Sequence, residues 1–406
     1  MDMSLSRRYH KYQRLVVLKM AAQDLSIQNF VAGDVEEQAQ SQAVPRNKIS
    51  PTYATTVPYK SPSLPRDILQ YLPPNGNPFS LFGDPYALLY FLPVEYNVIR
   101  NSQYWLRGKE DDNNFTNHEI ALLTFLAQHR VATRSQIQRA VFSSNDSDTK
   151  IKEFLRKCLR HGIIVAFKWV SPCESEKRLP HLYGLSPGGA KAAKIILPRT
   201  FIPRSFQFLP IDFVPGNAPS MTEYFTTAIA NEFYCKLREL DRVVEWSSQE
   251  KYALPNGRDF RPHYSIKTIK DAQDFKYLWL EVIRPVKNWY SDCIERFQQI
   301  QLAFTSLSPD VRPELVILLV DDVSRIPDIA ELAEHYMPDG KIRYTTDERL
   351  IQKKDSAIFY TYFEASGVKL TNIKFLTPEW NGMSASEYHK SFYNEDLLMD
   401  DADYDY

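Results

Sequence analysis

Two neighbouring stretches that predict strands, RDFRPHYSIK and FKYLWLEVIR, combine acidic with basic residues. Asp259 and His263 belong to the first stretch, and Glu281 belongs to the second. Cleavage of a phosphodiester with a metal ion requires carboxylates that converge on the ion and a cation that orients the attacking water. These three residues are therefore candidate catalytic residues. The alternative is that Glu281 pairs with Arg261 or Arg284 and holds no metal, with His263 an ordinary hydrogen-bonded side chain.

A second group of side chains is cationic. Residues 130–194 contain 13 Lys and Arg but five Asp and Glu, a local net charge of +8, whereas the whole chain has a net charge of −1. Cations that neutralise phosphates give DNA binding its affinity and its salt dependence, and bidentate groups such as Arg156 or Gln136 could read base edges. We expect ten side chains to contact DNA: Arg134, Gln136, Lys150, Lys152, Arg156, Lys157, Arg160, Lys168, Lys177 and Arg178. A basic helix face that is merely solvated is the simpler alternative.

Three short helices are expected to carry most of these cations. The first begins with a capping box of Thr116 and Glu119, and the second with one of Thr133 and Gln136. The third helix, in SDTKIKEFLRKCLRHGII, ends at Gly162. Its apolar side chains recur with the helical period: Ile151, Phe154, Leu155, Cys158 and Leu159. The cations of the third helix should therefore point away from the core.

Two strands and another helix follow. IIVAFKWV and HLYGL predict strands joined by a polar loop that contains Lys177 and Arg178, and Ser186-Pro187 starts the helix. Three helices, a hairpin and a helix are the arrangement of a winged helix, with the second and third helices as a helix-turn-helix. The third helix and the hairpin are the elements that this arrangement offers to DNA. Winged helices also serve as protein-binding or dimerisation modules.

The C-terminal half predicts a mixed domain with the element order αβββαβαβ. A capping box of Ser220 and Glu223 starts a helix that runs to about Leu240. Pro255-Asn256-Gly257 predicts a hairpin, and SAIFYTYF predicts the last strand. Successive strands followed by alternating helices and strands give a mixed sheet with helices on both faces. The expected fold class is therefore α+β or α/β, with more than one domain.

This order resembles the restriction-endonuclease-like core of PD-(D/E)xK nucleases. The resemblance implies an acid on the second strand and, on the third, a Glu followed two positions later by a Lys, which together hold Mg²⁺ and activate water. Glu281 matches the third-strand acid, but Ile283 stands at the lysine position. His263 follows an Arg-Pro dipeptide where an acid is expected. The resemblance therefore implies a nuclease-like domain with an incomplete active-site motif.

From residue 114 to about residue 363 the chain resembles the bacterial replication-relaxation family of plasmids and integrative elements. The resemblance rests on FTNHEIALLTFLAQHRVATRSQIQRAVF, on LRHGII and LYGLSPGGA, on NEFYCKL, and on RP followed by LEVIR. It implies a winged helix joined to a degraded restriction-endonuclease-like domain, in a protein of plasmid replication and DNA relaxation or of mobilisation. The family pattern has aspartate where this chain has His263 and Ile283, which argues against catalysis.

We expect six segments along the chain. They are 1–65, a disordered basic and Pro/Gln-rich arm; 66–112, an aromatic and Pro-rich collar; 113–198, the winged helix; 199–219, a linker; 220–375, the nuclease-like domain; and 376–406, an acidic tail. The tail has six acids and no Lys or Arg after Lys390. It could dock on a partner or mask the basic winged helix, and a solvated tail is the simpler alternative.

Composition narrows the class of protein. The longest apolar runs are too short to span a membrane, and the basic N-terminus lacks the apolar core of a secretory signal. The cysteines lie far apart, which argues against a zinc site or a disulfide framework and suits the cytoplasm. They are Cys158, Cys173, Cys235 and Cys293.

We therefore predict a cytoplasmic DNA-binding protein of a plasmid or integrative element, which acts in replication, in mobilisation or transfer, or in their transcriptional control. It would bind double-stranded DNA as a homodimer, contact replication or transfer proteins through its tail, bind no membrane and need no cofactor. A metal-dependent nuclease or nicking enzyme, with Mg²⁺, is the first alternative. A protein-interaction module in a nucleoprotein complex is the second.

Overall fold

The computed structural model describes residues 56–91, 98–112, 114–174, 179–209, 218–271, 274–309, 311–352, 357–373 and 376. These residues form a mixed α+β structure with two main sheets and one short ribbon. The expectation of a mixed α+β class is thereby confirmed. The basic arm up to residue 55, the tail from residue 377, Lys177 and Arg178 lie outside the described residues.

Four helices dominate the N-terminal half. They are α1 Val98–Asp112, α2 Asn117–His129, α3 Arg134–Val141 and α4 Asp148–Arg160. Both predicted capping boxes are present, since Thr116 caps α2 together with Glu119 and Thr133 caps α3 together with Gln136. Helix α4 ends as predicted, because Gly162 has a φ of 67°, which glycine adopts without steric cost.

The first sheet has four antiparallel strands in the order β1-β3-β4-β2. They are β1 Leu88–Phe91, β2 Val131–Thr133, β3 Ile164–Val170 and β4 Leu182–Leu185. Strands β3 and β4 are the predicted hairpin, and α5 Pro187–Ile196 follows with Ser186 as its N-cap. Strand β1 comes from the collar and pairs with β3, so the collar contributes a strand that we did not predict.

The second sheet has seven strands in the order β13-β12-β11-β10-β9-β8-β5, with β9, β10 and β11 parallel. The elements of the C-terminal half are α6 Thr222–Glu239, β5 Val243–Ser247, the ribbon of β6 Tyr252–Ala253 and β7 Asp259–Phe260, β8 Tyr264–Asp271, β9 Asp274–Val282, α7 Trp289–Ser306, β10 Leu315–Val320, α8 Ile326–Tyr336, β11 Ile342–Thr346, α9 Asp347–Ile351, β12 Phe359–Phe363 and β13 Gly367–Thr371. With the ribbon set aside, the expected order is present from α6 to β11, and α9 is a helix that we did not predict. Strand β13 adds an edge beyond the strand that we predicted to be the last.

Helix α6 begins without the predicted capping box. Met221 is its N-cap residue, and the Ser220 hydroxyl accepts a hydrogen bond from the N–H of Thr222 at 3.2 Å. Glu223 instead pairs with Arg130 at 2.9 Å. This prediction was wrong because a distant arginine, which the local sequence does not reveal, binds the carboxylate that the box would use.

One hydrophobic cluster runs through both halves of the chain. Phe167 and Trp169 of β3 belong to the same cluster as Phe225 of α6 and Leu280 of β9. The rings of Trp169 and Phe225 meet edge to face with centroids 4.7 Å apart. Full burial of a side chain such as Phe225 stabilises the fold by about 2–3 kcal/mol. Segments 113–198 and 220–375 therefore share a core.

The collar packs on its own chain. Phe82 is 1% exposed and lies against Phe225. Ser80 donates a hydrogen bond to Asp347 in the C-terminal half, and the Asp84 carboxylate accepts one from Ser171, just after β3. The collar therefore links the first sheet to the second.

Residues 56–65, which we predicted to belong to a disordered arm, also contact the collar. The ring of Tyr59 stacks on Phe79 with centroids 5.8 Å apart, and its hydroxyl accepts the N–H of Phe79 at 2.6 Å. Aromatic stacking of this kind stabilises a segment whose composition alone does not predict order.

Candidate functional site

Helix α4 presents a basic face to solvent. The Ser147 hydroxyl caps its start by accepting the N–H of Lys150 at 3.2 Å. Ile151, Leu155 and Cys158 are at most 2% exposed and pack in a core with α1, α2 and α5. The helical period then leaves the charged positions outside. The exposed cations of α4 are Lys150, Lys152, Arg156, Lys157 and Arg160.

The cations at the start of α4 are already paired with acids. Lys150 Nζ lies 2.5 Å from Asp146. Asp148 lies 2.6 Å from Lys152 Nζ and 3.1 Å from Arg134 Nη2. The hydrogen bonds from Lys150 and Lys152 lower the pKa values of Asp146 and Asp148, so both acids are ionised at neutral pH. This half of the helix therefore offers little net charge to a polyanion.

The last two turns of α4 differ from the first. Arg156, Lys157 and Arg160 are exposed, and none forms an ion pair or side-chain hydrogen bond with another described residue. Glu153 is exposed on the same turns, so three cations face solvent with one acid. Lys168 on β3 is exposed as well. Within the described ranges, four of the predicted DNA-contacting cations are therefore exposed and have no ionic partner in the protein. They are Arg156, Lys157, Arg160 and Lys168.

Gln136 cannot reach a base edge in this arrangement. Its side chain is fully buried. Its Oε1 accepts the N–H of Thr133 at 3.0 Å, while its Nε2 donates to the carbonyl of Ala228 at 2.7 Å and to Glu232 at 2.8 Å. The prediction that Gln136 contacts DNA was therefore wrong, because its hydrogen-bonding groups are used inside the protein.

A polar seam joins α2 and α3 to α6. Arg139 pairs with Glu232 and with Glu239, each at 2.5 Å. The side-chain oxygen of Asn231 lies 2.8 Å from Nδ1 of His129. Burial lowers the pKa of His129 to about 3, so its ring is neutral and donates from Nδ1. The seam therefore fixes the helices that precede α4 against the C-terminal half.

Glu281 lies on β9, and one guanidinium binds both of its oxygens. Arg296 of α7 donates from Nε to Oε2 at 2.9 Å and from Nη2 to Oε1 at 2.8 Å. Glu281 is 1% exposed, and the guanidinium packs over the ring of Phe260 at 4.8 Å. A second cation on this buried carboxylate would be repelled by the first. A metal ion at Glu281 would therefore have to displace Arg296.

The other two candidate catalytic residues do not complete a metal site. Nδ1 of His263 accepts the N–H of Val282 at 3.0 Å, so this nitrogen carries no proton. The ring is therefore neutral and forms no ion pair with Glu281, although Nδ1 lies 3.1 Å from Oε2. Asp259 lies on the separate ribbon, is exposed and pairs with Lys251 at 3.4 Å. The carboxylates predicted for Mg²⁺ do not converge, so these residues do not fit the ion.

Neither of the two expected partners of Glu281 forms an ion pair with it. Arg261 is exposed, and its carbonyl accepts a hydrogen bond from Arg296 at 2.6 Å. Arg284 pairs with the buried Asp347 at 2.8 Å. Burial raises the pKa of Asp347 to about 6, against the opposing effect of Arg284. Glu281 is therefore ion-paired, as the non-catalytic interpretation expects, but with an arginine that the sequence did not single out.

A cleft of about 740 Å³ opens between the two halves, beside His263. Its walls include His129, Arg130, Glu223 and Ser248. Arg130 has a φ of 59°, a left-handed conformation that is uncommon outside glycine, and its guanidinium pairs with Glu223. Because this pair is neutral overall, the cleft offers a polyanion less than the end of α4 does.

Among the described residues, no three His, Cys, Asp or Glu side chains are arranged to hold a metal ion. All four cysteines are buried, and burial raises the pKa of each thiol. Within the described ranges, no helix has the length and apolar character needed to cross a membrane. Comparisons of this chain with protein-family models, with curated proteins and with solved structures found no match.

Proposed function

We propose that this protein binds double-stranded DNA through the end of α4 and the β3–β4 hairpin. In this interpretation α2, α3 and α4 with the hairpin form a winged helix, and α3 and α4 form its helix-turn-helix. One observation carries the proposal: Arg156, Lys157 and Arg160 stand on the solvent face of α4 without an ionic partner among the described residues. Such cations neutralise phosphates and release counterions, which drives DNA binding.

The biological setting belongs to the same proposal. The order of α6, β5, β8, β9, α7, β10, α8 and β11 supports a restriction-endonuclease-like domain that acts as a platform for the winged helix. We infer a cytoplasmic homodimer of the replication-relaxation family that serves a plasmid or integrative element in replication, in mobilisation or transfer, or in their transcriptional control. Replication or transfer proteins would be its partners, through the acidic tail.

The test compares two pairs of cations on one helix. Arg156→Ala with Lys157→Ala removes two free cations, so we expect about tenfold weaker binding at about 0.15 M salt and a salt slope that is smaller by about 2. Lys150→Ala with Lys152→Ala removes two paired cations and serves as the matched control, with a smaller loss. Fluorescence anisotropy on labelled duplex DNA across a salt series measures both. Equal effects of the two pairs, or none, would contradict the proposal.

A nuclease has less support than a binding protein because Arg296 holds both oxygens of Glu281. If the alternative were correct, supercoiled plasmid would be cleaved with Mg²⁺ or Mn²⁺, and Glu281→Ala would abolish the cleavage. We expect no cleavage by either protein. Gel electrophoresis of the plasmid separates the two interpretations.

One further observation favours a protein-interaction role as the second candidate. Large apolar side chains are exposed close to α1 and α5: Tyr104 is 63%, Ile195 is 42% and Phe201 is 74% exposed. Exposed aromatic residues are enriched at protein interfaces. Phe201→Ser with Ile195→Ser should lower self-association in sedimentation velocity if these residues form the dimer interface. An unchanged sedimentation coefficient would remove them from that interface.

A further inference from the structure

We propose that the acidic segment 391–406 docks on the free cations at the end of α4 and competes with DNA for them. The regulatory consequence rests on the proposed function, whereas the docking itself rests on charge. The surface consists of Arg156, Lys157 and Arg160. The segment reads SFYNEDLLMDDADYDY, with six acids and no Lys or Arg.

Charge complementarity carries the proposal. The whole chain has a net charge of −1, and this segment contributes −6, so residues 1–390 have a net charge of +5. The segment therefore holds all of the excess acid. The described cations that lack an ionic partner include the three at the end of α4, which stand close together at i, i+1 and i+4. A block of like charges without bases is attracted to such a surface at low ionic strength.

The chain after Leu376 is long enough for the segment to reach this surface. The last described residue, Leu376, is 3% exposed and belongs to the same hydrophobic cluster as Phe167 and Trp169 of β3. The 19 residues from Leu376 to Glu395 span up to about 65 Å when extended. A folded body of this size has a radius of gyration of about 20 Å. The length of the connection therefore does not exclude docking on α4.

The strength of the effect follows from the tether. Tethering through a connection of this length gives an effective concentration on the order of 1 mM. Weak docking, with a dissociation constant of about 0.1–1 mM for the free segment, would then lower DNA affinity by about two- to tenfold. Salt screens these contacts, because the Debye length is about 8 Å at 0.15 M.

A titration without DNA tests the docking directly. A labelled peptide of residues 391–406 is added to a full-length variant whose six acids are amides: E395Q, D396N, D400N, D401N, D403N and D405N. At about 50 mM salt we expect saturable binding by anisotropy, which Arg156→Ala with Lys157→Ala lowers at least threefold. Lys287→Ala with Lys369→Ala, two exposed cations of the C-terminal half without an ionic partner among the described residues, is the matched control and should not change it. Absence of binding, or equal binding by the two pairs of variants, overturns the inference.

Binding of DNA tests the competition. The amide variant should bind duplex DNA about three- to tenfold more tightly than the natural chain at about 50 mM salt, and the gain should vanish at about 300 mM. With Arg156→Ala and Lys157→Ala also present, the gain should disappear. A gain that persists there would show general repulsion by the tail and would overturn the docking.

The two proposals fail in different ways. If the peptide docks but the Arg156 and Lys157 replacements leave DNA affinity unchanged, the proposed DNA contact is wrong and the docking stands. If these replacements weaken DNA binding but the peptide does not dock, the docking is wrong and the DNA contact stands.

Discussion

The Glu281 site and the end of α4 contain similar residue types but use their charges in opposite ways. At Glu281 the carboxylate is 1% exposed and both of its oxygens bind Arg296. At the end of α4, Arg156 and Lys157 face solvent without an ionic partner among the described residues. Residue type alone therefore does not identify a binding site. The two regions differ in whether the charged side chain already has an ionic partner within the protein before a ligand binds.

The difference has an energetic meaning. Burial of the Glu281 carboxylate costs several kcal/mol of desolvation, which its pair with the partly exposed Arg296 offsets only if the geometry is good and the pair stays intact. The Glu281–Arg296 pair is therefore tied to stability. An exposed cation costs little during folding and keeps its charge for a polyanion. We accordingly expect substitutions at Glu281 and Arg296 to change folding and those on α4 to change binding.

The largest effect should come from breaking the buried pair. Arg296→Ala leaves the Glu281 carboxylate buried without a counterion, so we expect the free energy of unfolding to fall by about 3–5 kcal/mol. Glu281→Ala leaves a guanidinium whose side chain is 23% exposed and still bonds the Arg261 carbonyl. Its cost should be smaller, at about 1–3 kcal/mol. Urea denaturation measures both.

Asp259→Ala is the matched control for this experiment. Its ion pair with Lys251 is exposed on both sides, so its loss should cost less than about 1 kcal/mol. Equal costs for all three substitutions would show that the Glu281 pair has no special role in stability, and the contrast between the two regions would break down.

The sequence predicted the local part of the fold well. The capping boxes at Thr116 and Thr133, the end of α4 at Gly162 and the turn at Gly257 are confirmed, because each depends on residues within one turn of the chain. The element order of the C-terminal half follows from hydrophobic periodicity, which is also local. The strand β1 was missed, because its partner β3 lies more than 70 residues further along the chain.

The candidate sites were less predictable, since their properties depend on tertiary partners. Arg296 lies 15 positions after Glu281 on a different element, and no spacing rule connects the two. The burial of Gln136 had one local signal, since a capping-box glutamine directs its oxygen back to the N–H of Thr133. Its contacts with α6 could not be inferred from sequence. The exposure of Arg156 and Lys157 was predictable from the apolar stripe of α4.

A second test of the comparison uses Gln136, a polar residue of the basic region that the fold satisfies completely. Gln136→Ala leaves the N–H of Thr133 and the carboxylate of Glu232 without this partner inside the seam, so it should lower the free energy of unfolding by about 2–3 kcal/mol. Ser135→Ala on the exposed side of α3 is the control and should cost little. DNA base preference, measured by competition with substituted duplexes, should stay the same. A changed base preference would show that Gln136 contacts the DNA.

Asp84 is a buried carboxylate that, unlike Glu281, has no cationic partner among the described residues. Asp84 is 5% exposed and accepts hydrogen bonds from Ser171 and the N–H of Tyr86, with no ion pair to a described residue. Burial raises its pKa from 3.8 to about 6. The folded state therefore holds the proton more tightly than the unfolded state does. This contribution to stability is fully present below pH 3.8 and is lost as the pH rises through about 6.

Asp84→Asn removes this titration and isolates its effect. Between about pH 4 and pH 7 the natural protein should lose about 1–2 kcal/mol of stability relative to the Asn variant. Urea denaturation of both proteins across this pH range measures the difference between their free energies of unfolding. The contributions of the other carboxylates cancel in this difference. A constant difference would show that Asp84 has the same pKa in the folded and unfolded states.

The smallest effect tests the contrast within α4 itself. Asp148→Asn keeps the shape of the side chain but frees Lys152 and Arg134 from their ion pairs. If paired cations bind DNA less because their charge is already used, this change should tighten binding about two- to fivefold and steepen the salt slope. Replacement of Asp148 together with Lys152→Ala and Arg134→Ala should then give no gain. If the gain in DNA affinity survives in this triple variant, removal of a negative charge near the DNA is sufficient to explain it. Ion pairing would then not be the reason why the first turns of α4 bind DNA less than the last turns do.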